Sequence, residues 1–211
     1  MRKRKMSKRA QGFTLVEVLV ALGVMTVGAA AIIGMQQQTT RANVHARQLT
    51  IATQIAQNVL ERLKLEGLAW NSVTTQPNTD LQNAPTLRPI VGATAGAFMT
   101  LPQRTVTASG ISRVLSNAYD YYGADMDLTN ADQATLARVV YCAGYRLSWI
   151  YNNFRSIRAD VRVWWSKSAP SRSITADFGN CVDNNSSLNP GGNQIDNYHV
   201  VYLSTVIRPQ P

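Results

Sequence analysis

The sequence from Phe13 to Met35 is almost wholly apolar, and this run constrains the chain more than any other feature. Its length exceeds the roughly 20 residues that a helix needs to cross a lipid bilayer. One carboxylate, Glu17, lies near the start of the run. A charged side chain inside such a segment is unfavourable and usually functional, although one near the segment's end can extend to the lipid headgroups. We therefore predict a membrane-spanning helix, with Glu17 either functional or simply snorkelling.

The chain before this run is short and strongly basic. Residues 1–12 contain six of the 21 Lys and Arg residues, namely Arg2, Lys3, Arg4, Lys5, Lys8 and Arg9. Without them, 15 basic residues stand against 12 acidic ones, so the net charge falls from +9 to about +3. The basicity therefore indicates membrane topology and not nucleic-acid binding. By the positive-inside rule, the leader stays cytoplasmic and the chain after Met35 is translocated.

The segment Gly12-Phe13-Thr14-Leu15-Val16-Glu17, with its basic leader and apolar run, resembles the processing site of type IV prepilins and pseudopilins. The resemblance implies that a prepilin peptidase cleaves after Gly12 and methylates the new N-terminus at Phe13. It also implies that Glu17 forms an assembly salt bridge with the terminal amine of a neighbouring subunit.

An amphipathic helix is predicted to continue the apolar one over residues 36–66. Apolar side chains recur there at steps of three and four, at Ala42, Ala46, Leu49, Ala52, Ile55, Ala56, Val59 and Leu63. Gly67 is expected to end the helix. Residues 67–211 then form a globular domain. Its first part, 67–108, is rich in Pro, Gly and Thr, which predicts a long surface loop with one short strand at 104–108.

The last third of the sequence, over residues 139–207, alternates as the strands of an antiparallel sheet do. Strands are predicted at 139–151, 157–165 and 198–207, with a hairpin turn at Asn152-Asn153. In the second strand, the core-facing residues are Ile157, Ala159, Val161, Val163 and Trp165, and the outward-facing ones are Arg158, Asp160, Arg162 and Trp164. The predicted fold is α+β, a long helix packed on an antiparallel sheet, as in type IV pilins.

Cys142 and Cys181 are the only two cysteines, and both follow the apolar run. In an oxidising compartment an even pair most simply forms a disulfide, whereas the alternative is two buried thiols. We predict a Cys142–Cys181 disulfide.

Four oxygen-bearing side chains lie close together in the sequence, at Asp125, Asp127, Asn130 and Asp132. They allow a calcium site, but the spacing lacks the glycine and distal glutamate of an EF-hand loop. The competing interpretation is a capping box, with Asn130 and Gln133 starting a short helix over residues 131–138. We favour the helix and predict no metal site.

Catalytic motifs are missing from the sequence. His45 and His199 are isolated, and no phosphate-binding loop or nucleophile motif occurs, so we predict that the chain is not an enzyme and has no cofactor. Arg155, Arg158 and Arg162, with Trp149, Trp164 and Trp165, have the composition of a nucleic-acid surface. A hairpin with buried aromatics and solvated arginines explains them better. Trp164, Arg158 and Arg162 are predicted to contact a partner subunit.

The resemblance implies a minor pilin of a type IV pilus, a structural subunit at or near the tip that primes assembly. Residues 42–57 and 159–165 also resemble the PilV-type modification pilins. The subunit would be anchored in the inner membrane with a periplasmic domain. It would then join other minor pilins, the major pilin and a tip adhesin, with roles in adhesion and twitching motility. Three alternatives stay open: a pseudopilin of a type II secretion or DNA-uptake system, a pilus-displayed DNA receptor, and a plain membrane-anchored domain.

Overall fold

The computed structural model describes residues 14–70, 81, 84–91, 97–102, 104–108, 111–128, 131–150, 156–167, 181 and 195–209. The chain divides into two compact units, Met1–His45 and Ala46–Pro211. Helix α1, Leu15–Gly67, begins in the first unit and ends in the second. Its bounds lie within two residues of those predicted. It stays helical through Gly23, Gly28 and Gly34.

In the second unit, one stripe of α1 faces the core. The buried residues are Gln48, Ile51, Ala52, Ile55, Ala56, Val59, Leu60, Leu63 and Gly67. The predicted stripe was therefore right from Ala52 onwards and wrong before it, because Ala42, Ala46 and Leu49 are exposed. Leu49 lies beside the stripe, whose centre follows the isoleucines at 51 and 55.

A five-stranded antiparallel sheet forms the other layer of this unit. The strands of the described residues are β1 (Met99–Thr100), β2 (Arg104–Ala108), β3 (Ile111–Leu115), β4 (Ala118–Tyr119), β5 (Tyr141–Trp149), β6 (Ile157–Ser166) and β7 (Tyr198–Ile207). The strand order in the five-stranded sheet is β1-β5-β6-β7, and β4 pairs with β5 beside β1. Strands β2 and β3 form a separate antiparallel pair. The α+β fold class and the strands predicted at 104–108, 157–165 and 198–207 are confirmed.

The main core lies between the sheet and the buried stripe of α1. Alternate residues of β6 enter it, namely Ile157, Ala159, Val161, Val163 and Trp165, as predicted. At the end of α1, a Cβ on Gly67 would lie 2.5 Å from Cγ2 of Ile207, the last residue of β7. Glycine is therefore required where the helix end meets the last strand.

The region predicted as a surface loop contributes to this core. Trp70, Leu81, Leu87, Ile90 and Leu101 are buried, and Arg88–Val91 forms a turn of 3₁₀-helix. Trp70 packs edge-on against Trp149, with ring centroids 5.9 Å apart. The elements described in this region are short, as the prolines predict, but apolar residues between them still pack inward.

The short helix α2 spans Gln133–Leu136 and is smaller than the predicted 131–138. Its N-cap is Asp132, whose Oδ1 accepts a hydrogen bond from the Thr135 N–H at 2.8 Å. Hydrogen bonding by the Thr135 side chain and by its backbone N–H lowers the pKa of Asp132. The predicted cap, Asn130, lies outside the described residues, as does the predicted turn at Asn152-Asn153.

Candidate functional site

The described chain begins at Thr14, which caps helix α1. The Glu17 N–H donates to the Thr14 carbonyl oxygen at 3.1 Å and lies 3.4 Å from the Thr14 Oγ1. Glu17 is the acidic residue of the first turn, and it is exposed. A carboxylate at this position interacts favourably with the helix dipole. Gly12 and Phe13 lie outside the described residues, so their roles and the Glu17 salt bridge stay predictions.

The apolar half of α1 is exposed on every side. Its large exposed side chains are Leu15, Val16, Val18, Leu19, Val20, Leu22, Val24, Met25, Val27, Ile32, Ile33 and Met35. Within the described part of the chain, α1 is the one helix that is both long enough and apolar enough to cross a membrane. An apolar surface of this extent must be covered by lipid or by other protein chains.

The second predicted site, on the outward face of β6, is more buried than expected. Trp164 and Arg162 are each only 1% exposed, whereas the side chain of Arg158 is 55% exposed. Trp164 and Arg162 are therefore not exposed as expected, while the predicted contact of the three residues with a partner subunit stays a prediction. A second layer covers this end of the sheet: Phe98 stacks 3.9 Å from the Arg162 guanidinium, and Trp164 packs in a cluster with Met126 and Tyr198.

Asp160 is the buried centre of a charged network on the same face. Its Oδ2 accepts from Arg146 Nη2 at 2.7 Å, and its Oδ1 accepts from Arg158 Nε at 2.8 Å and Ser204 Oγ at 2.6 Å. Burial acts most strongly and alone would raise the pKa of Asp160. The hydrogen bonds from Ser204, Arg146 and Arg158 outweigh it and hold the pKa below its ordinary value.

The predicted disulfide is present. Cys142 and Cys181 are bonded, with their Cα atoms 5.3 Å apart, and both residues are fully buried. The Asn117 side-chain amide donates to the Cys181 carbonyl oxygen at 3.2 Å. Cys181 has a positive φ of 61°, which is uncommon for a residue with a side chain. The bond therefore attaches Cys181 to the central strand β5.

The acidic residues considered for calcium have other partners. Asp125 accepts from Arg62 Nη2 through both oxygens, at 3.2 and 3.0 Å. Within the described residues, no three His, Cys, Asp or Glu side chains group as metal ligands would.

The two histidines lie in different surroundings: His45 is exposed on α1, and His199 lies against Trp165 with ring centroids 5.3 Å apart. Burial raises the pKa of Tyr141 to about 12, so its hydroxyl stays protonated.

Comparison with known proteins identifies the N-terminal segment. Residues 7–33 match the model of the prokaryotic N-terminal methylation motif. The chain thus carries the methylation motif on which its predicted resemblance to prepilins rests. It is also 36% identical over 73 residues to the type II secretion system protein I of Klebsiella pneumoniae, a match covering 33% of this chain and 60% of that protein. The corresponding protein of Pseudomonas aeruginosa is 41% identical over 59 residues, covering 28% of this chain and 46% of its own length.

The chain thus spans about half the length of the curated relatives that it matches. No solved structure matches it. Both relatives are type II secretion proteins, so they favour the alternative prediction of a pseudopilin over the main prediction of a tip-located, PilV-type minor pilin. Together with the methylation motif, they also support the prediction that the chain is a structural subunit and not an enzyme.

Proposed function

We propose that the chain is a pseudopilin, a structural subunit that assembles with other pilin-like subunits in a type II secretion system. The observation that carries this proposal is the apolar half of α1, whose side chains are exposed and which lies almost wholly within the methylation motif matched at residues 7–33. The similarity to two type II secretion proteins supports the choice of a secretion system over a pilus.

In this proposal, the helix exchanges one apolar environment for another. The leader, residues 1–12, keeps the precursor oriented in the inner membrane until a prepilin peptidase cleaves after Gly12. The segment 13–35 then leaves the lipid and packs among the same segments of neighbouring subunits. Because lipid and helix bundle are both apolar, hydrophobicity alone provides little driving force for this transfer. The residues from Ala46 onwards belong to a folded unit on the periplasmic side.

Glu17 supplies the specific interaction in this mechanism. A carboxylate in an apolar bundle is unfavourable unless it is paired with a cation. The cation proposed is the N-terminal ammonium, at Phe13, that leader removal creates on a neighbouring subunit. Pairing would then both stabilise the contact and fix the axial register of the two helices.

The test combines mass spectrometry of the mature N-terminus with co-purification from membranes. We expect a chain that starts at methylated Phe13 and co-purifies with type II secretion components. Glu17→Gln is expected to lower that co-purification about tenfold or more, since the loss of one partner of a buried ion pair costs several kcal/mol. Glu61→Gln, which removes an exposed carboxylate from the other half of α1, is the matched control and should change nothing.

Two results would contradict the proposal. If the working form in cells were the uncleaved precursor, the chain would be the plain membrane-anchored domain of the third alternative. Co-purification with pilus subunits instead of secretion components would restore the minor-pilin prediction.

A further inference from the structure

The outward face of the sheet is covered at one end and open at the other. At the covered end lie Trp164 and Arg162, beneath Phe98 and beside the disulfide. The open end is formed by the outward residues of β5, β6 and β7 further along the strands. It carries the exposed or partly exposed side chains of Arg146, Ser148, Arg158, Tyr202, Ser204 and Val206. We name these six residues the open face.

The strand register places five of the six open-face residues in two cross-strand rows, and Tyr202 lies in the next row, opposite Arg162. Arg146 lies opposite Asp160, which lies opposite Ser204, and the neighbouring row contains Ser148, Arg158 and Val206. The two arginines therefore stand on adjacent strands in neighbouring rows, one on each side of the same carboxylate. Their spacing is set by the sheet.

Asp160 also fixes the orientation of both guanidinium groups. Arg146 binds its Oδ2 through Nε and Nη2, at 3.1 and 2.7 Å, and stacks 4.8 Å from the Phe98 ring centroid. Arg158 binds Oδ1 through Nε, and its side chain is 55% exposed, so a ligand in solution can reach the guanidinium. Because one buried carboxylate holds both side chains, less rotamer freedom is lost when a further ligand binds them.

The charge of this face is positive. On the outward positions of β5, β6 and β7, the charged residues are three arginines and one aspartate. An apolar rim adjoins the arginines, since Tyr202 and Val206 on the edge strand are each 46% exposed. A pair of oriented cations beside an exposed tyrosine and valine matches the composition of protein contact surfaces, in which Tyr and Arg are enriched.

We propose that the open face binds an acidic segment of a neighbouring pilin-like subunit, with Arg146 and Arg158 pairing with its carboxylates. This inference rests on the proposed function only in taking the partner to be another subunit. A nucleic acid fits less well. Only two of the three guanidiniums are accessible, and a carboxylate lies between them, whereas nucleic-acid binding depends on a series of phosphate contacts.

The proposal can be tested by fluorescence anisotropy with the full mature chain in detergent at low salt. The probes are a labelled hexaglutamate peptide and a labelled hexathymidine oligonucleotide. Arg146→Gln with Arg158→Gln is expected to weaken peptide binding about tenfold, as the loss of two partly exposed ion pairs predicts. The matched control is Lys64→Gln with Arg88→Gln, which removes two exposed cations away from the open face and should change binding less than about twofold.

Each other outcome counts against the proposal. Equal losses in the two double variants would indicate diffuse charge attraction. Binding of the oligonucleotide but not the peptide would indicate a nucleic-acid surface, and no peptide binding by the unmodified chain would indicate no acidic partner. If the double variant unfolds, Arg158→Gln alone leaves Arg146 paired with Asp160 and should weaken peptide binding about threefold. Leader cleavage is measured separately, by mass spectrometry. An uncleaved leader would therefore contradict the proposed function but not the binding of an acidic segment by the open face.

Discussion

The two halves of helix α1 differ in what surrounds their apolar side chains. From Leu15 to Met35 they point in every direction and none is buried, whereas from Ala46 to Gly67 one stripe is buried against the sheet. The polar positions differ in the same way: the first half has only Glu17 as an acid, while the second has Glu61 and Glu66. One continuous helix therefore serves two environments, and the pattern of burial separates them.

The largest expected effect concerns the second unit alone. Replacing both Cys142 and Cys181 by serine should lower the free energy of unfolding by about 4 kcal/mol, because the bond closes a loop across a separation of 39 residues. Urea unfolding followed by tryptophan fluorescence measures this. Membrane association, which depends on the first half of α1, should be unchanged. A loss of stability below about 1 kcal/mol would mean that packing alone holds the Cys181 region.

A pair of identical substitutions separates the two halves of the helix directly. Leu63→Ala removes a fully buried side chain and should destabilise the folded unit by about 3 kcal/mol. Leu22→Ala, at an exposed position of the first half, should change the same quantity by less than about 0.5 kcal/mol. Both are measured on the full chain in detergent. Equal effects would show that the first half is also packed inside the subunit.

The smallest expected effect depends on pH. The folded-state pKa of Asp160 lies below its unfolded value of about 3.9, so the stabilisation is complete above that pH and is lost as pH falls through the folded value. Asp160→Asn should cost about 1–2 kcal/mol at neutral pH, a value reduced because both arginines are partly exposed. The substitution should also weaken the dependence of the free energy of unfolding on pH below about pH 4. Unfolding midpoints measured from pH 3 to 7 test this, with an unchanged acid profile as the contrary result.

Periodicity predicted those parts of the fold in which burial follows the local pattern. The β6 residues from Ile157 to Trp165 alternate between the face that packs in the main core and the opposite face of the sheet, so the core-facing residues could be predicted from the sequence. Glu17 and its apolar surroundings likewise stand out within a short segment.

The outer face of β6 could not be predicted in this way because distant segments cover it. Phe98 lies 64 positions before Arg162 in the sequence, and it is the ring that stacks on that arginine. Trp164 shares a cluster with Cys181, which the disulfide joins to β5 across a separation of 39 residues. The exposed Arg146 was missed as well. Its pairing with Asp160 follows from the register between β5 and β6, which local alternation does not specify.

The contact between Gly67 and Ile207 has a consequence for the timing of export. These residues end the long helix and the last strand, and 140 positions separate them in the sequence. In the proposed topology, in which the chain enters the periplasm after its N-terminal anchor, the end of α1 cannot pack against β7 until residues 198–207 have crossed the membrane. Throughout that interval, the apolar stripe of the emerging helix would be a target for periplasmic chaperones or proteases.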